Sequence, residues 1–239
     1  MSLQQWGGIA ALTKAATYLF GFVLFFGVLD TSKYDTPELS LDFLIQNRDT
    51  FFLGYIVIGI IFSLALIVLV QTIYQRFKRF SPELMKFTSV IGYIWATIVL
   101  ASTFVFLTSI EVIAALYEQD PTLALTVKQT ISIVVNALGG GIELVGALWV
   151  LAISYVGIKH RVFSPLLHYW GLLVGLAGVL TLFSGLSFLI ENPFFEVTTA
   201  IFGLGQIVWF IALGVILIKH APAGSSDSYQ GQTSKHSPI

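Results

Sequence analysis

Six long apolar stretches, separated by short polar segments, constrain the fold of this chain more than any other feature of its sequence. A transmembrane helix needs about 20 predominantly apolar residues to cross a hydrocarbon core of about 30 Å. Of the 239 residues, 56% are hydrophobic and 10% are charged, whereas soluble domains are about 25% charged. We therefore expect an all-α integral membrane protein, a six-span transmembrane helical bundle. The predicted spans are residues 7–29, 52–72, 87–109, 137–158, 166–190 and 198–218.

The charged residues between the spans alternate in sign and so predict the orientation. Segments 30–49, 111–120 and 191–196 are mainly acidic. Because Lys and Arg are retained on the cytoplasmic side, the opposite, basic segments predict that both termini are cytoplasmic. These basic segments contain Arg76, Lys78, Arg79 and Lys86, then Lys159 and Arg161, and finally Lys219.

The third and fourth spans are embedded in apolar helical patterns longer than a bilayer requires. No proline interrupts residues 83–117 or 122–158, and Asp120-Pro121 between them is a turn signal. We expect a helical hairpin that projects on the outer face. Residues 37–47 predict a further outer helix, so that the bundle carries a small helical extracytoplasmic cap.

The chain shows no domain boundary within the membrane region. We expect a single transmembrane helical domain over residues 1–219. Residues 220–239 are rich in Ser, Gly, Gln and Pro, a composition typical of a disordered tail.

Composition and motifs argue against several function classes. The balance of 12 basic and 13 acidic residues argues against a nucleic-acid partner. The absence of Cys excludes disulfides and thiolate metal sites. No G-x-S-x-G, H-E-x-x-H or P-loop motif is present. We therefore expect no enzyme activity, no cofactor and no metal site. Membrane lipids are the expected partners. A homo-oligomer formed through Gly171 and Gly175 is possible from the sequence, and the sequence identifies no small-molecule ligand.

Glu143 is the strongest chemical clue because it is a carboxylate inside the predicted fourth span. An intramembrane acid is costly and is a functional-site hypothesis by default. Polar and small residues recur at helical spacing on the same predicted face as Glu143: Gln129, Ser132, Asn136, Gly140 and Ala147. One interpretation is a lined cavity or proton relay that ends at Glu143. The alternative is a packing seam, in which Glu143 donates one interhelical hydrogen bond.

Lys14 and Gln206 are two further candidate polar residues within predicted spans. The helical rise places Lys14 about 14 Å from Glu143 along the membrane normal, which is too far for a direct ion pair. We expect Lys14 to snorkel to the cytoplasmic headgroups. Gln206 lies near the centre of the sixth span, where Glu143 or Asn136 would be suitable hydrogen-bond partners.

Three segments carry a resemblance to a known family: 7–12 (Gly-Gly-Ile-Ala-Ala-Leu), 136–151 and 203–209 (Gly-Leu-Gly-Gln-Ile-Val-Trp). Together they resemble a bacterial multi-spanning membrane protein family that is catalogued as a domain of unknown function, over residues 5–219. The resemblance implies a bacterial cytoplasmic (inner) membrane location. It implies no activity, substrate or catalytic residues.

Three function classes follow from these observations. The leading interpretation is a non-enzymatic membrane protein that acts through helix packing or partner contacts. The alternative is a small-solute or proton-coupled transporter that uses an intramembrane Glu, and it predicts that the candidate polar residues converge on one water-accessible cavity. An intramembrane enzyme is third, because no nucleophile or metal set accompanies Glu143. The candidate functional cluster is Glu143, Asn136, Gln206 and Lys14.

Overall fold

The computed structural model describes residues 1–30, 36–139, 143–189 and 192–220, and helix is the only regular secondary structure in these ranges. Nine α-helices are described: α1 (Leu3–Phe22), α2 (Pro37–Gln46), α3 (Arg48–Tyr55), α4 (Phe62–Phe77), α5 (Pro82–Gln119), α6 (Pro121–Gly139), α7 (Leu144–Lys159), α8 (Pro165–Leu180) and α9 (Phe194–Lys219).

Shorter helical segments extend three of these helices. A π-helical segment, Val23–Val28, continues α1, and a second, Ile56–Ile61, joins α3 to α4. A 3₁₀ segment, Thr181–Gly185, follows α8. The first lengthens α1, and the second joins α3 and α4 into one stretch long enough to cross a bilayer.

Six helical stretches in the described ranges are long and apolar enough to cross a membrane, which confirms the predicted all-α, six-span fold. Each of them overlaps one predicted span. They are Leu3–Val28, Arg48–Phe77, Pro82–Gln119, Pro121–Lys159 (its described parts being 121–139 and 143–159), Pro165–Gly185 and Phe194–Lys219.

The fifth helical stretch ends at Gly185, earlier than the predicted end at residue 190, which lies outside the described residues. Thr181 Oγ1 donates to the Gly178 carbonyl at 2.7 Å, and Ser184 Oγ donates to the Thr181 carbonyl at 2.8 Å. Leu186 then adopts an extended conformation, with φ −74° and ψ 128°, and the helical segment ends. The apolar composition alone does not reveal this helix end.

The six spans form a ring in chain order. α1 packs against α4 and α9, α4 packs against α5, α5 against α7, α7 against α8, and α8 against α9. Aromatic side chains fill the centre of the ring. The aromatic side chain of Trp149 contacts those of Trp95, Trp209 and Phe210, and its centroid lies 6.0 to 6.5 Å from theirs.

One end of the ring carries the predicted helical hairpin. The 38 residues of α5 extend for about 57 Å at 1.5 Å per residue, well beyond a hydrocarbon core of about 30 Å. α6 packs along α5, and α2 packs against α6. A separate apolar cluster fills this cap, and its buried residues include Leu41, Phe51, Ile110 and Ala124. We call this end the hairpin side.

The two ends of the described chain meet at the opposite end of the ring. Gln4 Nε2 donates to the Leu217 carbonyl at 3.1 Å, and the His220 ring contacts Phe163. We call this end the terminal side. Its predicted cytoplasmic location stays a prediction. The predicted disordered tail, residues 220–239, lies outside the described residues except for His220.

Candidate functional site

Glu143 immediately precedes α7 and is one of the residues that line a cavity. Its carbonyl accepts the Ala147 N–H at 3.0 Å, so its backbone begins the helix. The positive end of a helix dipole lies at this position. Residues 140–142, which include Gly140 of the predicted polar face, lie outside the described residues. The Glu143 side chain is half-buried.

The cavity that Glu143 lines has a volume of about 290 Å³. Its walls are mainly apolar and aromatic, with contributions from α1, α4, α5 and α6. Few polar groups reach it, and a mainly apolar wall with a few convergent polar groups is typical of a small-molecule site. We call it the Glu143 cavity. Its lining includes Thr17, Tyr18, Phe62, Trp95 and Leu138.

Two further cavities continue from the Glu143 cavity towards the hairpin side. A connecting cavity of about 150 Å³ shares Gly139 with the Glu143 cavity and Asn136 with a third cavity. The third, of about 210 Å³, also contains Ser132 and Lys128, and we call it the Lys128 cavity. Residues 128–139 extend for about 16 Å along α6. The three cavities therefore follow one face of this helix.

The predicted polar face of the fourth span is only partly preserved. Ser132 and Asn136 are exposed and line cavities, as the cavity interpretation requires. Gln129 is exposed as well. Ala147 is fully buried and packs with Val174 and other residues of α8 and α9. The face is therefore open on the hairpin side of Glu143 and closed on the terminal side.

Lys14 does not snorkel to the headgroups, so that prediction is wrong. Its side chain is 0% exposed, and its ammonium lies over three aromatic rings from three other helices. The Nζ atom is 3.7 Å from the Trp95 ring centroid and 4.2 Å from those of Phe62 and Phe210. Favourable cation–π contacts reach about 2 kcal/mol or more when desolvated. We call these rings the aromatic cage.

The aromatic cage adjoins the Glu143 cavity. Phe62 and Trp95 contact the Lys14 ammonium and also line the cavity. No ion pair joins Lys14 to Glu143 within the part of the chain that the structure describes. These two rings therefore form a partition between the carboxylate and the lysine.

Gln206 is fully buried, but its partner differs from the predicted ones. Its Oε1 accepts the Tyr18 hydroxyl at 2.6 Å, rather than a group of Glu143 or Asn136. Its Nε2 has no hydrogen-bond partner among the described residues. Tyr18 lines the Glu143 cavity, so the amide connects to the carboxylate through this residue. In the sequence, Tyr18 lies one helical turn from Lys14, and this spacing was the signal that could have identified Tyr18 as a residue of the site.

The four candidate residues therefore separate into two groups. Glu143, Lys14 and Gln206 surround Tyr18 and the aromatic cage, whereas Asn136 lies farther towards the hairpin side. The described residues contain no group of three or more His, Cys, Asp or Glu side chains suited to a metal ion. A carboxyl group and a tyrosine hydroxyl are left as the groups able to exchange protons in the Glu143 cavity.

The Lys14→Met substitution is expected to raise the free energy of unfolding by about 1–4 kcal/mol. The ammonium is buried with no hydrogen-bond partner among the described residues. Desolvation of the ammonium costs several kcal/mol, which exceeds the cation–π stabilisation that the aromatic cage provides. Methionine has a similar volume and contacts the rings through its sulfur. Denaturant unfolding of the purified protein measures the change. Lys86→Met, at an exposed lysine, is the control. The expectation would be contradicted if Lys14→Met lowered the free energy of unfolding markedly and Lys86→Met did not.

Comparison with known proteins gives one family. A family model described as "Domain of unknown function (DUF4386)" matches residues 8–214, a range that includes all four candidate residues. The resemblance to a family of unknown function is thereby confirmed. Searches of curated proteins and of solved structures give no match.

Proposed function

This chain belongs to the family described as domain of unknown function DUF4386, and we propose that it is a non-enzymatic membrane transporter that moves protons by way of Glu143. The proposal places the functional group at Glu143. With the termini in the cytoplasm, as the charge pattern predicts, the hairpin side is the outer side. Glu143 would then exchange protons with the outer solution.

The observation that carries this proposal is the cavity at Glu143. A packing seam would enclose the carboxylate in a dry contact, whereas Glu143 lines a space of about 290 Å³. An acid inside a membrane span is expensive unless it serves a pathway or a partner. Among the described residues, the Glu143 carboxylate has no hydrogen bond or ion pair that would explain it as an interhelical packing contact. The cavity supports the transport interpretation over the packing one.

The polar lining towards the hairpin side supports entry from that direction. Asn136 lies in both the connecting and the Lys128 cavities, and Ser102 and Thr103 line the connecting cavity. The Ser102 and Thr103 hydroxyls donate to the Val135 and Val99 carbonyls, so only their acceptor lone pairs remain. The exposed Asn136 amide is able to donate to and accept from water molecules that carry a proton inward.

The terminal side of Glu143 is densely packed, so the described structure supports an outward-open arrangement. Trp149, Val150, Ile153 and Leu213 are each 0% exposed. A transport cycle would have to open this region, and the partition formed by Phe62 and Trp95 is the point where the cavity meets it. Such gating is a rearrangement of packed side chains and helices.

A cysteine-accessibility experiment tests whether water reaches Glu143 from the hairpin side. The natural chain has no Cys, so single-cysteine variants report one position each. We expect Glu143→Cys to react with a membrane-impermeant methanethiosulfonate reagent applied from the hairpin side, because adjoining cavities follow α6 from Glu143 towards that surface.

Two matched variants make this experiment decisive. Ala147→Cys lies one helical turn away at a position with 0% exposure and should remain unmodified. Ser132→Cys, at an exposed position, should react readily. The proposal would be contradicted if Glu143→Cys reacted no faster than Ala147→Cys. It would also be contradicted if Glu143→Cys reacted only with reagent applied from the terminal side.

A packing role is the second candidate and accounts for different residues. Gln206 is bonded to Tyr18 at 2.6 Å and links α9 to α1, as expected of interhelical polar glue. Gly171 and Gly175 lie against side chains of α7 and α9 in the same chain, including Ser154, Leu151 and Trp209. This contact favours packing within one chain over a glycine-mediated homo-oligomer, and it leaves the Glu143 cavity unexplained.

A further inference from the structure

The Lys128 cavity has chemical features of its own. It lies on the hairpin side between α2, α3, α5 and α6, and it has a volume of about 210 Å³. Small-molecule sites for drug-sized ligands run from about 300 to 1,000 Å³, so this cavity suits a smaller molecule. Its polar lining residues include Ser40, Tyr55, Ser109, Lys128 and Asn136.

The cavity carries a positive charge with no opposite charge in its lining. Lys128 is half-buried, and its Nζ donates to Ser40 Oγ at 2.7 Å. An ammonium has three donors, so this hydroxyl does not exhaust it. No Asp or Glu lines the cavity among the described residues. Asp42, on the same helix as Ser40, instead accepts the Tyr117 hydroxyl at 2.7 Å. The electrostatics therefore favour an anion.

The cavity lies at the level of the membrane surface. Ser109 lines it and is the last residue of the predicted span 87–109. The 22 residues from position 87 correspond to about 33 Å along the helix, slightly more than the hydrocarbon core of about 30 Å. A charged group at this level meets water and headgroups, so an ion is able to enter without crossing hydrocarbon.

The remaining walls are aromatic and apolar. The Tyr55 and Phe106 rings stack with centroids 3.6 Å apart, and Phe51 lies 6.3 Å from Phe106. Ile113 and Val135 complete this side of the cavity. A strongly hydrated inorganic anion gains nothing from such walls, whereas a hydrocarbon body is favourably buried there.

We propose that the Lys128 cavity binds a small apolar carboxylate. The carboxylate would accept hydrogen bonds from Lys128 Nζ and Ser40 Oγ, and the hydrocarbon body would pack against Phe51 and Phe106. Straight-chain and aromatic acids share this chemistry. The inference does not require proton exchange at Glu143, because Glu143 does not line the Lys128 cavity and the lysine and the aromatic walls carry the argument.

Calorimetric titration of the purified protein in nonionic detergent tests the proposal with defined probes. Octanoate or phenylacetate should bind, and comparison of the two distinguishes a straight-chain from an aromatic ligand. Acetate lacks the apolar body and octylammonium has the wrong charge, so neither should bind. Equal binding of octanoate and octylammonium would indicate detergent-like partitioning and overturn the proposal, as would the absence of binding by both acids.

Substitution of the lysine identifies the site. Lys128→Gln keeps a donor for Ser40 and should weaken binding about ten- to a hundredfold, the equivalent of one charged hydrogen bond. Lys128→Arg should retain most of the affinity, and Lys86→Gln, at an exposed lysine on α5, should leave it unchanged. Glu143→Gln should also bind normally. Unchanged affinity in Lys128→Gln would overturn the assignment.

Discussion

Replacement of Gly214 by leucine is expected to remove most of the folded protein. A Cβ atom at Gly214 would lie 2.8 Å from the Gly8 carbonyl oxygen and 2.8 Å from Leu12 Cγ. A Cβ at Gly8 would likewise lie 2.8 Å from the Gly214 carbonyl oxygen. The backbones of α1 and α9 therefore meet at these glycines, as small residues allow in membrane helix pairs.

The size of this effect follows from what the new side chain would meet. Overpacking in a core costs about 1–3 kcal/mol when neighbouring side chains are able to shift. A backbone carbonyl has no rotamer to change, so α1 and α9 must separate. Because this contact closes the ring of spans, we expect a cost above that range. Fluorescence-detected size-exclusion chromatography after heating measures the surviving folded fraction.

Gly203→Leu provides the matched control on the same helix. No atom lies within 4 Å of a Cβ at Gly203, leaving out its chain neighbours and its own helix backbone, so this variant should fold and melt like the natural protein. If Gly214→Leu also folds normally, the described contact between α1 and α9 is wrong. If both variants fail, the added leucine rather than the helix contact is responsible.

The fold was largely predictable because each span carries its own signal. Apolar length identifies a span without knowledge of its neighbours, and the Asp120-Pro121 turn marked the hairpin in the same local way. Pro37 at the start of α2 is a comparable signal. The end of the fifth helical stretch at Gly185 was missed because residues 186–190 remain mainly apolar, and hydropathy does not register the extended backbone of Leu186.

The site was predictable only where one residue stands out by itself. Glu143 is conspicuous as an acid in an apolar run, and its cavity was one of two stated alternatives. The aromatic cage of Lys14 is built from Phe62, Trp95 and Phe210, which are distant in sequence and on three other helices. Nothing in a single span distinguishes these rings from ordinary core residues. Snorkelling was predicted from depth alone, and depth does not reveal such neighbours.

The Tyr18–Gln206 bond illustrates the same limit. Residues 18 and 206 are on the first and last spans, and only closure of the ring brings them to 2.6 Å. A polar residue within a span predicts that a partner exists. The identity of that partner depends on which helices become neighbours, and the order of the ring was not available from periodicity.

Glu143→Gln is expected to abolish proton uptake by the reconstituted protein. Glutamine keeps the size and hydrogen-bonding capacity of the side chain but has no titratable proton, so folding should be preserved while exchange is lost. Positioned acid–base groups typically contribute about 10²–10⁴-fold to proton transfer. The loss should therefore reduce the protein-dependent rate to the background of the vesicles.

The most direct measurement of the central claim is proton flux into proteoliposomes, driven by a potassium–valinomycin potential and read by an internal pH-sensitive dye. Glu118→Gln is the matched control because it removes an exposed acid by the same chemical change. We predict faster acidification than in protein-free vesicles for the natural protein and for Glu118→Gln, and the vesicle background for Glu143→Gln. Equal flux in the natural protein and in folded Glu143→Gln, or no flux above background in either, would contradict the account.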